Sequence, residues 1–562
     1  MAYDLLIRNA KICDGSGVAA YDGAVAVEGA KIVAAGRVEG HARREIDAAG
    51  RVLAPGFIDI HTHYDAQISW DPLLTSSCWH GITTVLMGNC GVGVAPCKPE
   101  ARGMLAWDLV NVEAMPYDVL LGGVSWEWET FPEYMAAATR KGVGLNVGFL
   151  VPLSALRSYV MGEQASERAA SGDEIRRMCA LLREAILAGA YGFSLSLFEL
   201  HNGYQGRPLA SRLASVEELM ALSRVMRELN KGIIEVNVPR TGGVMLTDEA
   251  FDILVILARE SGRPVTWLAL LDFPGMPADV HQHVMARFEP FLRRGLKILP
   301  QTTPRPLRVF TTLRDPFLFG SFRCWREALN RSTEEQIALY RSPRFRDEFR
   351  TDLKAGGGAA FRGDWDTIEV AGVARAENRR LIGRTVEQIA AAQAQDPIDV
   401  FLDLAISEEL ATGFTVSVAN IDPARVQMLV TMPNVLLGLS DGGAHVNQFC
   451  DAGLPSYVLH EWVSKRGVLT LEEAVRRLTS EPSDFMGLRS KGRIAIGMDA
   501  DLVLFDPDTI RPCITEQLDD LPGGKPRLIE RAEGIGLSVV NGEILFQDGI
   551  YQGCLPGQLV RS

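Results

Sequence analysis

The sequence predicts an α/β protein, a (β/α)8 barrel of the TIM type with a small β-sandwich domain formed from both termini. Three observations support this prediction. The middle of the chain alternates short apolar runs with helical stretches, which is typical of βα units around a parallel sheet. Both ends instead consist of short strands separated by glycine-containing turns. The length of 562 residues suits a large barrel with an accessory domain.

The two β-rich ends are predicted to form one domain from residues 1–55 and 493–562. Near the N-terminus, glycines separate candidate strands at 5–7, 24–27, 31–35 and 51–54. Near the C-terminus, an alternating strand ends at Asp506, and residues 537–545 predict a hairpin around Asn541-Gly542. The barrel is then inserted between the two halves of this domain.

The barrel is predicted to occupy residues 56–492, and it requires eight strands. The candidate strands are the apolar runs 56–60, 83–87, 145–150, 192–195, 232–236, 265–269, 296–300 and 435–439. The gap between the seventh and the eighth is far longer than the others. Within it, residues from about 308 to 365 are rich in arginine and aromatic residues. We predict a helical insertion there, over one barrel face, as a lid or an oligomer contact.

Composition excludes several classes of function. The chain has 57 basic and 70 acidic residues, a net charge of −13, and no basic stripe, so nucleic acid is not an expected partner. No apolar run approaches the roughly 18 residues that span a bilayer, and no signal peptide is evident. Nine cysteines without CxxC pairs indicate reduced thiols. We expect a cytoplasmic homo-oligomer that acts on a small molecule away from membranes.

The strongest motif is Pro55-Gly-Phe-Ile-Asp-Ile-His61-Thr-His63, in which an apolar strand ends in two histidines. Side chains two apart on a strand point the same way, so His61 and His63 present two imidazoles side by side. This is the arrangement that one metal ion needs from neighbouring ligands. The alternative is a pair of unrelated histidines at the end of a strand.

Cys90 follows the next apolar run and lies among glycines, which allow the backbone to approach a ligand closely. A thiol beside a metal ion loses its proton and becomes a tight ligand. A packed core thiol is the alternative.

Asp441 follows the last apolar run, where a carboxylate is costly unless it is paired or bound to a cation. The alternative interpretation is that Asp441 is an N-cap or turn residue in the Ser440-Asp-Gly-Gly loop.

These segments resemble the amidohydrolase superfamily, and within it the N-acyl-D-amino-acid deacylase branch. The HxH segment matches the metal-binding signature of the superfamily, and residues 492–506 and 539–549 look like its sandwich domain. Residues 81–93 are similar to the second-strand motif of D-aminoacylases, and 155–162 and 189–196 also resemble that branch. The resemblance implies that Cys90 is a zinc ligand and that Asp441 contacts the metal and shuttles a proton.

The chain departs from the D-aminoacylase pattern after strands five and six. The pattern has a histidine at each place, whereas this chain reads GIIEVNVPR at 232–240 and PVTWLALL at 264–271. No lysine ends strand four to bridge two metals. We therefore expect one divalent metal per chain rather than two. Zinc is the preferred ion, and manganese, iron and cobalt are the alternatives. The predicted ligands are His61, His63, Cys90 and Asp441.

Further residues are weaker candidates for the site. Asn237, Glu235 or His201 would complete or replace a ligand, although His201 reads equally well as a solvated loop histidine. His445 either lines the site or is a plain loop residue. Two arginines are candidates for holding a substrate carboxylate in a bidentate contact, although surface arginines are common. They are Arg240 and Arg305.

The preferred interpretation is a metal-dependent hydrolase of amide bonds in which Asp441 transfers the proton. The resemblance implies an N-acyl-D-amino acid as the substrate. Two alternatives stay open. One is a hydrolase of cyclic amides, lactones or other carbonyl compounds with a mononuclear site, and the other is a catalytically lapsed barrel with a structural or assembly role.

Overall fold

The structure is a computed structural model that describes residues 3–199, 201–239, 245–314, 316–320, 322–329, 331–356 and 361–562. The chain divides into two compact units. The first comprises Met1–Leu271, Met276–Pro304 and Gln427–Ser562, and the second comprises Asp272–Gly275 and Arg305–Val426. The predicted domain boundaries at residues 55/56 and 492/493 remain a prediction.

Strands occur in three groups along the chain. The N-terminal strands are β1 (Tyr3–Ile12), β2 (Tyr21–Glu28), β3 (Lys31–Gly36), β4 (Ala42–Asp47) and β5 (Val52–Pro55). Next come β6 (Phe57–Asp59), β7 (Ile82–Met87), β8 (Asn146–Pro152), β9 (Gly192–Ser196), β10 (Ile233–Asn237), β11 (Val265–Leu268), β12 (Ile298–Thr302), β13 (Leu307–Thr311), β14 (Ile368–Gly372), β15 (Gly413–Ala419) and β16 (Leu436–Leu437). The last are β17 (Leu502–Phe505), β18 (Arg511–Pro512), β19 (Glu516–Leu521), β20 (Lys525–Ile529), β21 (Ala532–Glu533), β22 (Ile535–Val540), β23 (Glu543–Gln547) and β24 (Ile550–Tyr551).

The helices lie mostly between the strands of the barrel. In chain order they are α1 (Arg102–Glu113), α2 (Tyr117–Gly123), α3 (Phe131–Thr139), α4 (Leu153–Met161), α5 (Gly172–Ala188), α6 (Val216–Leu229), α7 (Asp248–Ser261), α8 (Val280–Leu292), α9 (Arg323–Arg326), α10 (Thr333–Arg341), α11 (Pro343–Lys354), α12 (Val386–Gln393), α13 (Pro397–Ser407), α14 (Pro423–Thr431), α15 (Leu454–Tyr457), α16 (Leu471–Leu478) and α17 (Ser480–Met486). Across the described ranges, none of them is both long and apolar enough to span a membrane.

An eight-stranded parallel sheet forms the barrel, in the order β16-β12-β11-β10-β9-β8-β7-β6. Each of the eight predicted runs overlaps one of these strands, which confirms the α/β barrel. The last strand, β16, is joined to the first, β6, just past their carboxyl ends. There the Gly442 carbonyl accepts a hydrogen bond from the His63 N–H at 2.7 Å. The carboxyl ends of all eight strands therefore meet at one end of the barrel.

A second sheet takes strands from both ends of the chain. Its order is β24-β23-β22-β17-β5-β1-β2-β3, with β4 beside β1. Leu5, Leu504 and Val539 share one buried core, so residues about 500 apart in sequence stabilise each other. The predicted hairpin is present between β22 and β23, where Asn541 and Gly542 both have positive φ. The strands belong to one continuous sheet.

The second unit is larger than the predicted insertion and is not wholly helical. It extends to Val426 and contains an antiparallel sheet in the order β13-β15-β14. The strand β15 lies far beyond residue 365 but pairs with both others, so the pairing draws residues up to 419 into the same unit. Its aromatic core includes Phe319, Trp325 and Phe401.

Candidate metal centre

Two histidines extend from the end of the first barrel strand into the interior of the barrel. His61 and His63 are 0% and 3% exposed, and their Nε2 atoms are 3.2 Å apart. The facing nitrogens follow from strand alternation, since residues two apart point to the same side. Two buried imidazole nitrogens this close are well placed to share a cation.

Cys90 approaches the same point from the segment that follows β7. Its Sγ lies 3.7 Å from His61 Nε2, and the ligand atoms of His61, His63 and Cys90 all lie within 4.8 Å of one another. Cys90 adopts a left-handed conformation with φ of 54°, between glycines that share this conformation. Burial raises the pKa of its thiol well above the ordinary value. A nearby cation would be needed to make this group a thiolate.

Asp441 approaches the two histidines from the loop after β16. Its Oδ1 lies 3.1 Å from His61 Nε2 and 3.6 Å from His63 Nε2. Burial alone would raise the pKa of Asp441, but hydrogen bonds from the two histidines hold it well below its ordinary range. Asp441 is therefore a carboxylate at neutral pH.

Each donor lies at a metal-site distance from the histidines, but the ligand atoms that are all within 4.8 Å of one another are those of His61, His63 and Cys90, without Asp441. Zinc bonds of about 2.0–2.1 Å to nitrogen and about 2.3 Å to sulfur place neighbouring donors roughly 3.3–3.6 Å apart. The distances here are 3.2 Å between nitrogens, 3.1 and 3.6 Å from oxygen to nitrogen, and 3.7 Å from sulfur to nitrogen. The two imidazoles, the thiol and the carboxylate suit an ion such as Zn²⁺ in their chemistry, and the mutual spacing of His61, His63 and Cys90 suits it as well.

A buried carboxylate that the sequence analysis missed lies behind His63. Glu113, the last residue of α1, is 2% exposed, and its Oε1 lies 3.4 Å from His63 Nδ1. Its Oε2 lies 3.7 Å from Nε2 of His445, and its backbone carbonyl accepts from the His445 N–H. This carboxylate, with that of Asp441, raises the pKa of His63 to about 9 even though burial opposes it. A single glutamate at a helix end carries no sequence signal for this role.

Asp59 joins the end of the first barrel strand to the loop after the last one through two hydrogen bonds. The Ser440 hydroxyl donates to Asp59 Oδ2 at 2.5 Å, and Asp59 Oδ1 accepts from the His61 N–H at 3.2 Å. Burial raises the pKa of Asp59 to about 7. These bonds hold the His61 backbone in line with the loop that carries Asp441.

Strand β10 places two predicted candidates beside Cys90. Glu235 Oε2 accepts from the Cys90 N–H at 2.8 Å, and Asn237 Nδ2 donates to Cys90 Sγ at 3.7 Å. Burial raises the pKa of Glu235 to about 8. Strand β11 ends in buried apolar residues, Leu268 to Leu271, with no metal-binding side chain among them. Strand five, β10, therefore supplies one amide and one carboxyl group near the thiol, whereas residues Leu268 to Leu271 at the end of strand six, β11, supply neither.

The remaining candidates differ in how the structure places them. His201 is half-buried beyond β9, with its Nδ1 2.9 Å from the Ser196 hydroxyl, and it is not part of the group within 4.8 Å. His445 is joined to the centre through Glu113 and stacks on Phe449. Arg240 lies outside the described residues. Arg305 belongs to the second unit, so its predicted substrate contact stays a prediction.

Comparison with known proteins points to one family. The model of the Amidohydrolase family matches residues 44–546. An uncharacterized protein of Mycobacterium tuberculosis is 30% identical over 607 residues, with 100% of this chain and 96% of that protein covered. The D-aminoacylase of Alcaligenes xylosoxydans xylosoxydans is 26% identical, with 99% and 97% covered. A crystal structure of D-aminoacylase has a TM-score of 0.67 at 24% identity, with both chains covered completely.

Proposed function

Because this chain belongs to the Amidohydrolase family, and is thus a hydrolase of carbon–nitrogen bonds other than peptide bonds, we propose that it is a metal-dependent N-acyl-D-amino-acid deacylase. Its relatives include a D-aminoacylase and an N-acyl-D-aspartate deacylase, 26% and 27% identical over nearly the whole chain. The observation that carries the proposal is the cluster of buried ligand atoms of His61, His63 and Cys90, with the Asp441 carboxylate 3.1 Å from His61 Nε2.

His61, His63, Cys90 and Asp441 would hold one divalent metal, with zinc as the preferred ion because nitrogen, sulfur and oxygen donors all suit it. A crystal structure of the N-acyl-D-glutamate deacylase of Bordetella bronchiseptica complexed with zinc has a TM-score of 0.67 with this chain. One ion rather than two is proposed because β10 and β11 carry no histidine at their carboxyl ends. When bound, the metal supplies Lewis acidity, which acidifies water and polarises the scissile carbonyl.

Asp441 acts as the proton carrier. It is a carboxylate at neutral pH, and its Oδ1 lies 3.1 Å from His61 Nε2 and 3.6 Å from His63 Nε2. It accepts the proton of the attacking water and returns it to the leaving nitrogen, which departs as an amine. Replacing the carboxylate with a neutral amide removes the acceptor, so Asp441→Asn is expected to reduce kcat by on the order of 10²–10⁴-fold.

A substrate panel tests the proposal. The metal-loaded protein is incubated with N-acetyl-D-amino acids, their L enantiomers, cyclic imides and lactones, and release of the amine or ring opening is followed. Faster turnover of the D series supports the proposal, and Asp441→Asn removes it. The matched control is His283→Ala, since His283 is exposed on α8 and its partner Asp279 is also exposed.

Two results would overturn the assignment. Turnover confined to the lactones or imides would favour the second hydrolase class. A purified protein with metal content far below one ion per chain, which also fails to take up added zinc, would favour a lapsed barrel with a structural role. The expected homo-oligomer is measured in the same preparation by light scattering.

A further inference from the structure

A large cavity lies at the end of the barrel opposite His61 and His63. Its volume is about 860 Å³, and it is lined by Asn146, Tyr191, Gly232 and Arg263, which stand at or before the first residues of β8 to β11. The histidines lie beyond the last residue of β6, at the carboxyl ends of the strands. Because the sheet is parallel, these two positions belong to opposite ends of the barrel.

The lining of this cavity is strongly cationic. The lining residues include Lys31, Lys231, Arg263, Arg489, Lys491 and Arg561. The acidic side chain in the lining is that of Asp499. This pattern differs from the chain as a whole, which has a net charge of −13.

Two of the six cations are compensated by carboxylates. Lys31 Nζ lies 2.6 Å from Asp499 Oδ1. Lys491 Nζ lies 2.5 Å from Asp501 Oδ2 and 3.1 Å from Asp499 Oδ2. Asp499 and Asp501 are thus paired with Lys31 and Lys491, and their negative charge does not compensate the other four cations.

The other four cations have neutral partners or none. Arg561 donates to the Ala188 carbonyl at the end of α5, and Arg263 donates to the Gly232 carbonyl and to Asn230 Oδ1 just after α6. Cations at helix carboxyl ends offset the partial negative charge of the carbonyls, but this charge is only a fraction of a unit. Within the described parts of the chain, the side chains of Lys231 and Arg489 make no hydrogen bond or ion pair.

We propose that this cavity binds a small organic polyanion through its phosphate or carboxylate groups. Arginine presents a planar fork of donors that suits both groups, and lysine adds a point charge. The volume is that of a pocket for an organic molecule, far larger than a single inorganic ion needs. Met486, Leu488 and Leu559 supply an apolar part of the lining for the carbon skeleton of the ligand.

The test uses the full-length, metal-loaded protein with three probes: ADP, citrate and inorganic pyrophosphate. Binding is measured by isothermal titration calorimetry at low and at high salt. We expect at least one probe to bind at one per chain, more weakly at high salt because charge carries the contact. The double variant Lys231→Ala with Arg489→Ala should weaken binding at least about tenfold, a change of about 1.4 kcal/mol.

The double variant is expected to keep the fold, because neither side chain has a hydrogen-bond or ion-pair partner to lose, and unchanged thermal unfolding checks this. The control is Arg37→Ala, an arginine with 93% of its side chain exposed. Absence of binding by all three probes at millimolar concentration would overturn the proposal, as would binding that the double variant leaves unchanged. Asp441→Asn should bind the probes normally, so this outcome is independent of the proposed hydrolysis.

Discussion

Glu113 provides the most specific test of how the metal centre is built. The perturbation is Glu113→Gln, which preserves size and one acceptor oxygen but removes the negative charge 3.4 Å from His63 Nδ1. A carboxylate behind a metal-binding histidine favours the tautomer with hydrogen on Nδ1. It also makes Nε2 more basic and therefore a stronger ligand for the metal. Loss of such a partner weakens metal affinity by roughly 10–100-fold, or about 1.4–2.7 kcal/mol.

Zinc affinity is measured by competition with a chromophoric chelator at constant pH. Glu113→Asp should recover part of the affinity, because the charge remains although the reach shortens. Glu100→Gln is the control, since Glu100 is exposed in the turn before α1. If Glu113→Gln binds zinc within about twofold of the unchanged protein, the argument that Glu113 positions His63 is refuted.

Three further predictions concern the site and its support. Cys90→Ser should reduce zinc affinity by at least about tenfold in the same competition assay, because a hydroxyl does not readily ionise beside a metal, and unchanged affinity would remove Cys90 from the ligands. Gly91→Ala should lower the free energy of unfolding by about 1–3 kcal/mol in urea, since its Cβ would lie 2.8 Å from Leu195 Cα at a φ of +68°, and a loss below about 0.5 kcal/mol would contradict the close approach. Burial raises the pKa of Asp108 to about 7, so the stability contributed by its protonated form is complete below about pH 4 and lost as pH rises through 7. Asp108→Asn cannot ionise, so its Tm relative to the unchanged protein should rise between pH 5 and pH 8, and a constant difference would speak against a raised pKa.

Much of the site could be predicted because its signals are local. The spacing of His61 and His63 on one strand places two side chains on the same side, whatever surrounds them. The glycines around Cys90 and the apolar run before Asp441 likewise mark unusual positions within a few residues. The structure brings these four groups together, although their role as ligands remains a proposal.

Other features depend on which distant segments meet. Glu113 lies beside His63 only because α1 ends where the loop carrying His445 passes. The extent of the second unit follows from the pairing of β15 with strands far earlier in the chain. The cationic cavity joins residues from both ends of the chain and from the start of several barrel strands, none of which forms a motif.

The sequence by itself determined the alternation of strands and helices, the β-rich ends and the HxH pair, because these depend on short-range periodicity and backbone preference. Only the tertiary structure decided which buried carboxylates lie behind the histidines and which cations lack a partner. Coulomb energy and desolvation depend on distances through space, and sequence separation does not report those distances.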